Sequence, residues 1–169
     1  MVLSLATSSS DADVPAVGVT LAIDYGRKRL GLALSDEHGV TSRPFATWTR
    51  INRRRDLARL RDLVRRHGVR RIVVGMPLHL DGTPSEMSEE ARRFATRVEA
   101  VLGVPVVMMD ERLSSWEAGR TLLATNVPSH RGKLRGPARR RRSTLDDVAA
   151  AVILRDYLDR ARTPGGARG

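Results

Sequence analysis

The sequence predicts an α/β fold: a mixed β-sheet in which a three-stranded antiparallel meander precedes parallel crossover strands, with helices on its faces. Three observations carry this. Alternating apolar residues flank a glycine-containing turn at Gly26 to Arg29, the pattern of a β-hairpin. Two short apolar runs, at 71–75 and 104–109, have the composition of buried strands. Apolar residues between and after those runs recur at helical spacing, and strands that alternate with helices build a partly parallel sheet.

Met1 to Pro15 is rich in Ser, Asp and Ala without periodicity and reads as a disordered tail, as does Thr163 to Gly169, which leaves one domain over 16–162. Val17, Val19, Leu21 and Ile23 alternate toward Asp24, and Leu30, Leu32 and Leu34 alternate after the turn. A third strand is expected over Pro44 to Thr49. Leu57, Leu60, Val64 and His67 form a helical stripe stopped by Gly68. The strand Arg71 to Gly75 leads through Met76-Pro-Leu-His-Leu-Asp-Gly-Thr83, whose turn residues suit either a structural loop or close approach to a ligand. Met87, Ala91, Phe94, Val98 and Leu102 make the next stripe, ended by Gly103, and Val104 to Met109 is a buried strand running into Asp110-Glu111. Ser114-x-x-Glu117 opens a helix to about Ala124, and Thr144-x-x-Asp147 opens the apolar final helix. The expected order is βββ-α-β-α-β-α-α.

The 169 residues carry 30 Lys and Arg against 19 Asp and Glu, a net charge of +11, and Lys28 and Lys133 are the only lysines. So strong an arginine bias can follow genome composition, so the distribution is more informative than the total. Residues 50–71 hold ten Arg against Asp56 and Asp62, a local +8. Residues 127–142 hold Arg131, Lys133, Arg135, Arg139, Arg140, Arg141 and Arg142 with no acid, a local +7. The rest of the chain is slightly acidic. Two such segments suit a phosphate-binding footprint, with a solvated helix face and an inert insertion as the alternative. There is no cysteine, which excludes disulfides, thiol nucleophiles and Cys-based metal sites. No apolar run spans a membrane and no signal peptide is recognisable, so a cytoplasmic protein is expected. The four His residues lack metal-ligand spacing, and neither a Walker A loop nor a Gly-x-Ser-x-Gly elbow is present.

Carboxylates at the ends of apolar elements remain. Asp24 closes the first strand, Glu111 follows the last, and Asp146 lies in the first turn of the final helix. Each has an ordinary reading: a turn Asp, an exposed ion pair with Arg112, and a helix N-terminal acid shared with Asp147. Together they could meet at one sheet edge, where converging carboxylates need a cation. An all-oxygen shell suits Mg²⁺ or Mn²⁺, and such a site beside an arginine-lined groove supports metal-assisted phosphodiester hydrolysis.

Four segments in order resemble the YqgF/RuvX family of RNase H-like nucleases. They are Asp24-Tyr-Gly-Arg-Lys-Arg-Leu-Gly-Leu-Ala-Leu-Ser-Asp36, Val74-Gly-Met-Pro-Leu-His-Leu-Asp-Gly-Thr83, Asp110-Glu-Arg-Leu-Ser-Ser115 and Asp146-x-x-Ala-Ala-Ala-x-Ile-Leu154, spanning about 19–160. The resemblance implies an RNase H-like fold akin to the Holliday-junction resolvase RuvC, and a role in maturing the 5′ end of 16S rRNA. It places the catalytic, metal-holding acids on Asp24, Glu111 and Asp146. RuvC-like resolvases carry a further acid one helical turn on. That position is Ala149 here, which leaves Asp147 as the alternative fourth ligand. Arg27, Lys28 and Arg112 are the expected phosphate clamps, and the seven cations of 131–142 the expected nucleic-acid-binding loop.

The leading expectation is therefore a metal-dependent nuclease acting on precursor rRNA, with ribosomal precursor particles as partners and no membrane. Cleavage of branched DNA is the alternative, and it would require a symmetric homodimer rather than a monomer. Asp24-x-Gly-x-x-x-x-Gly31 also fits the phosphate loop of actin- and hexokinase-like ATPases, which close two lobes on a nucleotide where this chain offers one. A non-catalytic RNA-binding assembly factor is the third class. With only six aromatics, it would bind through charge rather than base stacking.

Overall fold

The computed structural model describes residues 18–76, 81, 83–110 and 145–162. The expected tails, Glu111, Arg112, the helix expected over 114–124 and the basic segment 127–142 lie outside the described residues.

The elements run β1 (Val19–Tyr25), β2 (Arg29–Ser35), β3 (Ser42–Thr49), α1 (Arg53–His67), β4 (Val69–Met76), α2 (Glu86–Leu102), β5 (Val106–Asp110) and α3 (Leu145–Arg162). They form a five-stranded sheet in the order β3-β2-β1-β4-β5. The β1–β2 and β2–β3 pairs are antiparallel, and β1–β4 and β4–β5 are parallel. The third strand starts two residues before the expected Pro44. Ser42 and Arg43 pair with Ser35 and Leu34, and a register shift after Leu32 accommodates the proline at this sheet edge.

Strand alternation divides the core in two. Leu21, Ile23, Leu30, Leu32, Leu34, Ile72 and Val74 pack on Leu60, Leu63 and Val64 of α1 and on Ala91, Ala95 and Val98 of α2. On the other face, Ala22, Ala33, Val73 and Met109 pack on Ala150, Ile153, Leu154 and Leu158 of α3. The residues β1 and β2 send toward α3 are small, so that helix approaches the sheet closely. A Cβ built on Gly31 would lie 1.9 Å from the carbonyl oxygen of Asp146, so only glycine admits the first turn of α3 at this point. At the far strand, the Ser42 hydroxyl donates to the Ala151 carbonyl at 2.7 Å. Among the described residues, no helix is long and apolar enough to cross a membrane.

Candidate active site

Asp24 lies opposite Gly31 in the β1–β2 register. Side chains directly opposite on an antiparallel pair share a face, so Asp24 points to the side on which the first turn of α3 rests on Gly31. That packing brings Asp146 to Asp24. The Asp24 carboxyl is pushed up to about 6, first by burial and then by the nearby Asp146 carboxylate. A half-buried acid next to a second acid repels it unless a proton or a cation intervenes.

Arg29 supplies one such cation. Its Nε lies 2.9 Å from Oδ2 of Asp146, and the pair is partly exposed. Sequence reasoning missed Arg29, although a signal was present. Leu30, Leu32 and Leu34 alternate toward one core, so 29, 31 and 33 face the other side, where the final helix belongs. Asp147 is 5% exposed and so buried, whereas the Asp146 side chain is 26% exposed and meets Asp24.

The other expected site residues are placed as follows. Arg27 turns to the opposite face, where Nη2 lies 2.9 Å from Oε1 of Glu90 and 3.0 Å from Oε2 of Glu86 on α2. Its hydrogen bonds hold Glu90 below the usual carboxylate range. Lys28 is exposed at the turn, and its carbonyl accepts from the Arg50 N–H at 2.9 Å. Glu111, Arg112, Arg131, Lys133, Arg135 and Arg139 to Arg142 lie outside the described residues. Among the described residues, no group of three His, Asp or Glu side chains could hold a metal ion. Asp24 and Asp146 supply hard oxygen donors from two elements, a set that fits a divalent cation sharing further ligands with water or phosphate.

The turn between β1 and β2 is braced from beneath. The Gly26 N–H donates to the Arg29 carbonyl at 3.0 Å, and Arg50 Nη1 donates to the Gly26 carbonyl at 3.0 Å. Arg50 is itself held by Asp56, which is 3% exposed and accepts from Arg50 Nε at 3.1 Å. The guanidinium lies over the rings of Tyr25 and Phe94, 5.0 and 5.7 Å from their centroids. This cluster fixes the strand end from which Asp24 projects.

The family described as RuvX, Holliday junction resolvase, matches residues 18–160. A protein of Syntrophus aciditrophicus with the provisional name pre-16S rRNA nuclease is 43% identical over 139 residues, covering 82% of this chain and 87% of the relative. One of Anaeromyxobacter dehalogenans under the same provisional name is 46% identical over 141 residues, covering 83% and 96%. Among solved structures, RuvC of Thermus thermophilus superposes with a TM-score of 0.50 at 16% identity, covering 84% of this chain and 95% of that one. That likeness speaks to the fold, which is RNase H-like.

Proposed function

The chain belongs to the RuvX family, and from that premise we propose that it is a nuclease hydrolysing phosphodiester bonds with a divalent metal ion, in 5′-end processing of precursor 16S rRNA. Relatives more than 40% identical carry that substrate in their provisional name and align over nearly their whole length. The single observation that supports the chemistry is the Asp24–Asp146 pair, in which a raised carboxyl and its neighbour converge at one strand end.

Asp24, Glu111 and Asp146 would hold Mg²⁺ or Mn²⁺, with Asp147 as an alternative further ligand. When bound, the ion lowers the pKa of the attacking water and stabilises charge on the transferring phosphate. The protein's own contribution has three parts. Asp24, with a pKa raised only to about 6, is mostly ionised at neutral pH and would offer a carboxylate oxygen to the cation. Arg29, largely exposed beside Asp146, would hold that carboxylate in place and present its remaining guanidinium donors to a phosphate oxygen. Arg27, Lys28 and Arg112 would clamp flanking phosphates, and Arg131, Lys133, Arg135 and Arg139 to Arg142 would hold the strand beyond. Its place of action is the cytoplasm, on ribosomal precursor particles.

The family's description favours one second reading, cleavage of branched DNA. Cutting opposed strands needs two sites related by symmetry, so a homodimer on the substrate supports it and a monomer does not.

The test compares wild type with Asp24→Asn and Glu111→Gln on precursor-rRNA and branched-DNA substrates, with Mg²⁺, Mn²⁺ or EDTA. Both variants are expected to bind nucleic acid as wild type does and to lose cleavage by about 100-fold or more, the scale of removing key charge stabilisation. Cleavage at the wild-type rate by either variant would remove that acid from the site.

A further inference from the structure

Between the N-terminal end of α1 and the middle of α2 lies a cleft of about 240 Å³ on the sheet face opposite Asp146. Arg53, Arg93 and Arg97 line it, together with Tyr25, Phe94 and Arg50. Its two carboxylates are already engaged, Asp56 by Arg50 and Glu90 by Arg27. Among the described residues, Arg53, Arg93 and Arg97 have no carboxylate within 4 Å. Arg93 and Arg97 are one turn apart on α2, so like charges share one helix face, an arrangement that weakens a helix unless an anion relieves it. Arg53 opens α1, where the helix dipole also disfavours a cation. Arg93 is partly offset by Glu90, three residues before it on α2, but none of the three is ion-paired among the described residues, so guanidinium groups from two helices converge on open space with a surplus of positive charge.

We propose that this cleft binds the phosphate backbone of the single-stranded RNA whose scissile bond lies at Asp24 and Asp146; the assignment of RNA as the ligand rests on the function proposed above. Asp24 and Tyr25 are consecutive on β1 and project to opposite faces. The carboxylate site and the cleft therefore lie on the two faces at the C-terminal end of the central strand β1, a sheet's thickness apart. A few nucleotides of single strand cross that distance. Recognition is of phosphate and not of bases, because Arg50 already covers the rings of Tyr25 and Phe94. Planar guanidinium forks suit phosphate oxygens, and binding through them is independent of sequence and sensitive to salt.

The measurement is fluorescence anisotropy of a short labelled single-stranded RNA in EDTA, titrated at several KCl concentrations. Against wild type stand Arg93→Ala/Arg97→Ala, Arg93→Lys/Arg97→Lys, and Arg43→Ala/Arg155→Ala. The last removes equal charge from exposed positions outside the cleft. The alanine pair is expected to weaken binding about tenfold and to flatten the plot of log affinity against log salt by about 1.4, two contacts at 0.7 each. The lysine pair should keep most of the salt slope, which also reports an intact fold. The Arg43/Arg155 pair should behave as wild type. An alanine pair indistinguishable from the Arg43/Arg155 pair would overturn the proposal. Because no metal is present, RNA binding that depends on Arg93 and Arg97 stands even if cleavage fails, and cleavage stands even if the cleft proves idle.

Discussion

At the residue scale the decisive group is Asp24. Its carboxyl titrates near 3.8 in an unperturbed setting and near 6 in the folded chain. Between those values the native state keeps a proton that the unfolded chain has released, so stability falls as pH rises through this window. Above about pH 7 the charged, half-buried carboxylate costs about 2–3 kcal/mol. Asp24→Asn in EDTA is therefore expected to be more stable than wild type above about pH 7 by that order, with the gain vanishing near pH 4. Urea unfolding across pH checks it, and an asparagine variant no more stable than wild type would contradict a charge held against burial. Mg²⁺ should then stabilise wild type and leave Asp24→Asn unmoved, since the substitution removes the charge that a cation would relieve. Asp24 and Asp146, which the structure brings near each other, were legible in the sequence as candidate acids placed at element ends. Arg29 was not singled out, because three consecutive cations in one turn look alike until the register sends Arg27 to α2 and Arg29 to α3.

At the element scale, α3 decides whether two distant acids become neighbours. Its first turn rests on Gly31, where a Cβ would overlap the Asp146 carbonyl at 1.9 Å. Gly31→Ala must push the start of α3 outward, and both atoms in conflict are held by backbone. Overpacking of this kind costs about 1–3 kcal/mol, and it also carries Asp146 away from Asp24. The substitution is expected to lower the unfolding free energy by that amount, read as a lower urea midpoint, and to bring the Asp24 pKa back toward 3.8, read by carboxyl NMR across pH. A destabilised variant with an unchanged Asp24 titration would mean that α3 does not set the carboxylate pair. The strand–helix order was readable because the apolar periods of 2 and 3.6 are local. The register shift after Leu32 and the early start of β3 were not, since they depend on which partner the edge strand meets. The value of Gly31 was hidden for the same reason. Glycine in a strand announces only a close approach, and the element that approaches it is more than a hundred residues away.

At the scale of the whole molecule, the sheet separates the basic helix α1 from the Asp24–Asp146 pair. The segment 50–71 carries +8, and its helix α1 packs on the face that bears Leu60 and Val64, away from Asp146. A strand of RNA engaged by both the carboxylate pair and the arginine cleft must therefore pass over the C-terminal end of β1. The other basic segment lies in the sequence between Glu111 and Asp146, the two proposed ligands that bracket it. It holds seven cations and no acid, so its contribution is measurable as a salt dependence. Deleting residues 131–142 is expected to weaken RNA binding and to flatten the salt slope, by about 5 if all seven cations meet phosphates of a single strand. Segments that engage separate phosphates contribute independently. The deletion combined with Arg93→Ala/Arg97→Ala should then lose the sum of the two slopes. A sum that falls short would mean that both segments compete for the same phosphates. An unchanged slope on deletion would leave the cleft as the principal electrostatic anchor and reduce 131–142 to an inert insertion.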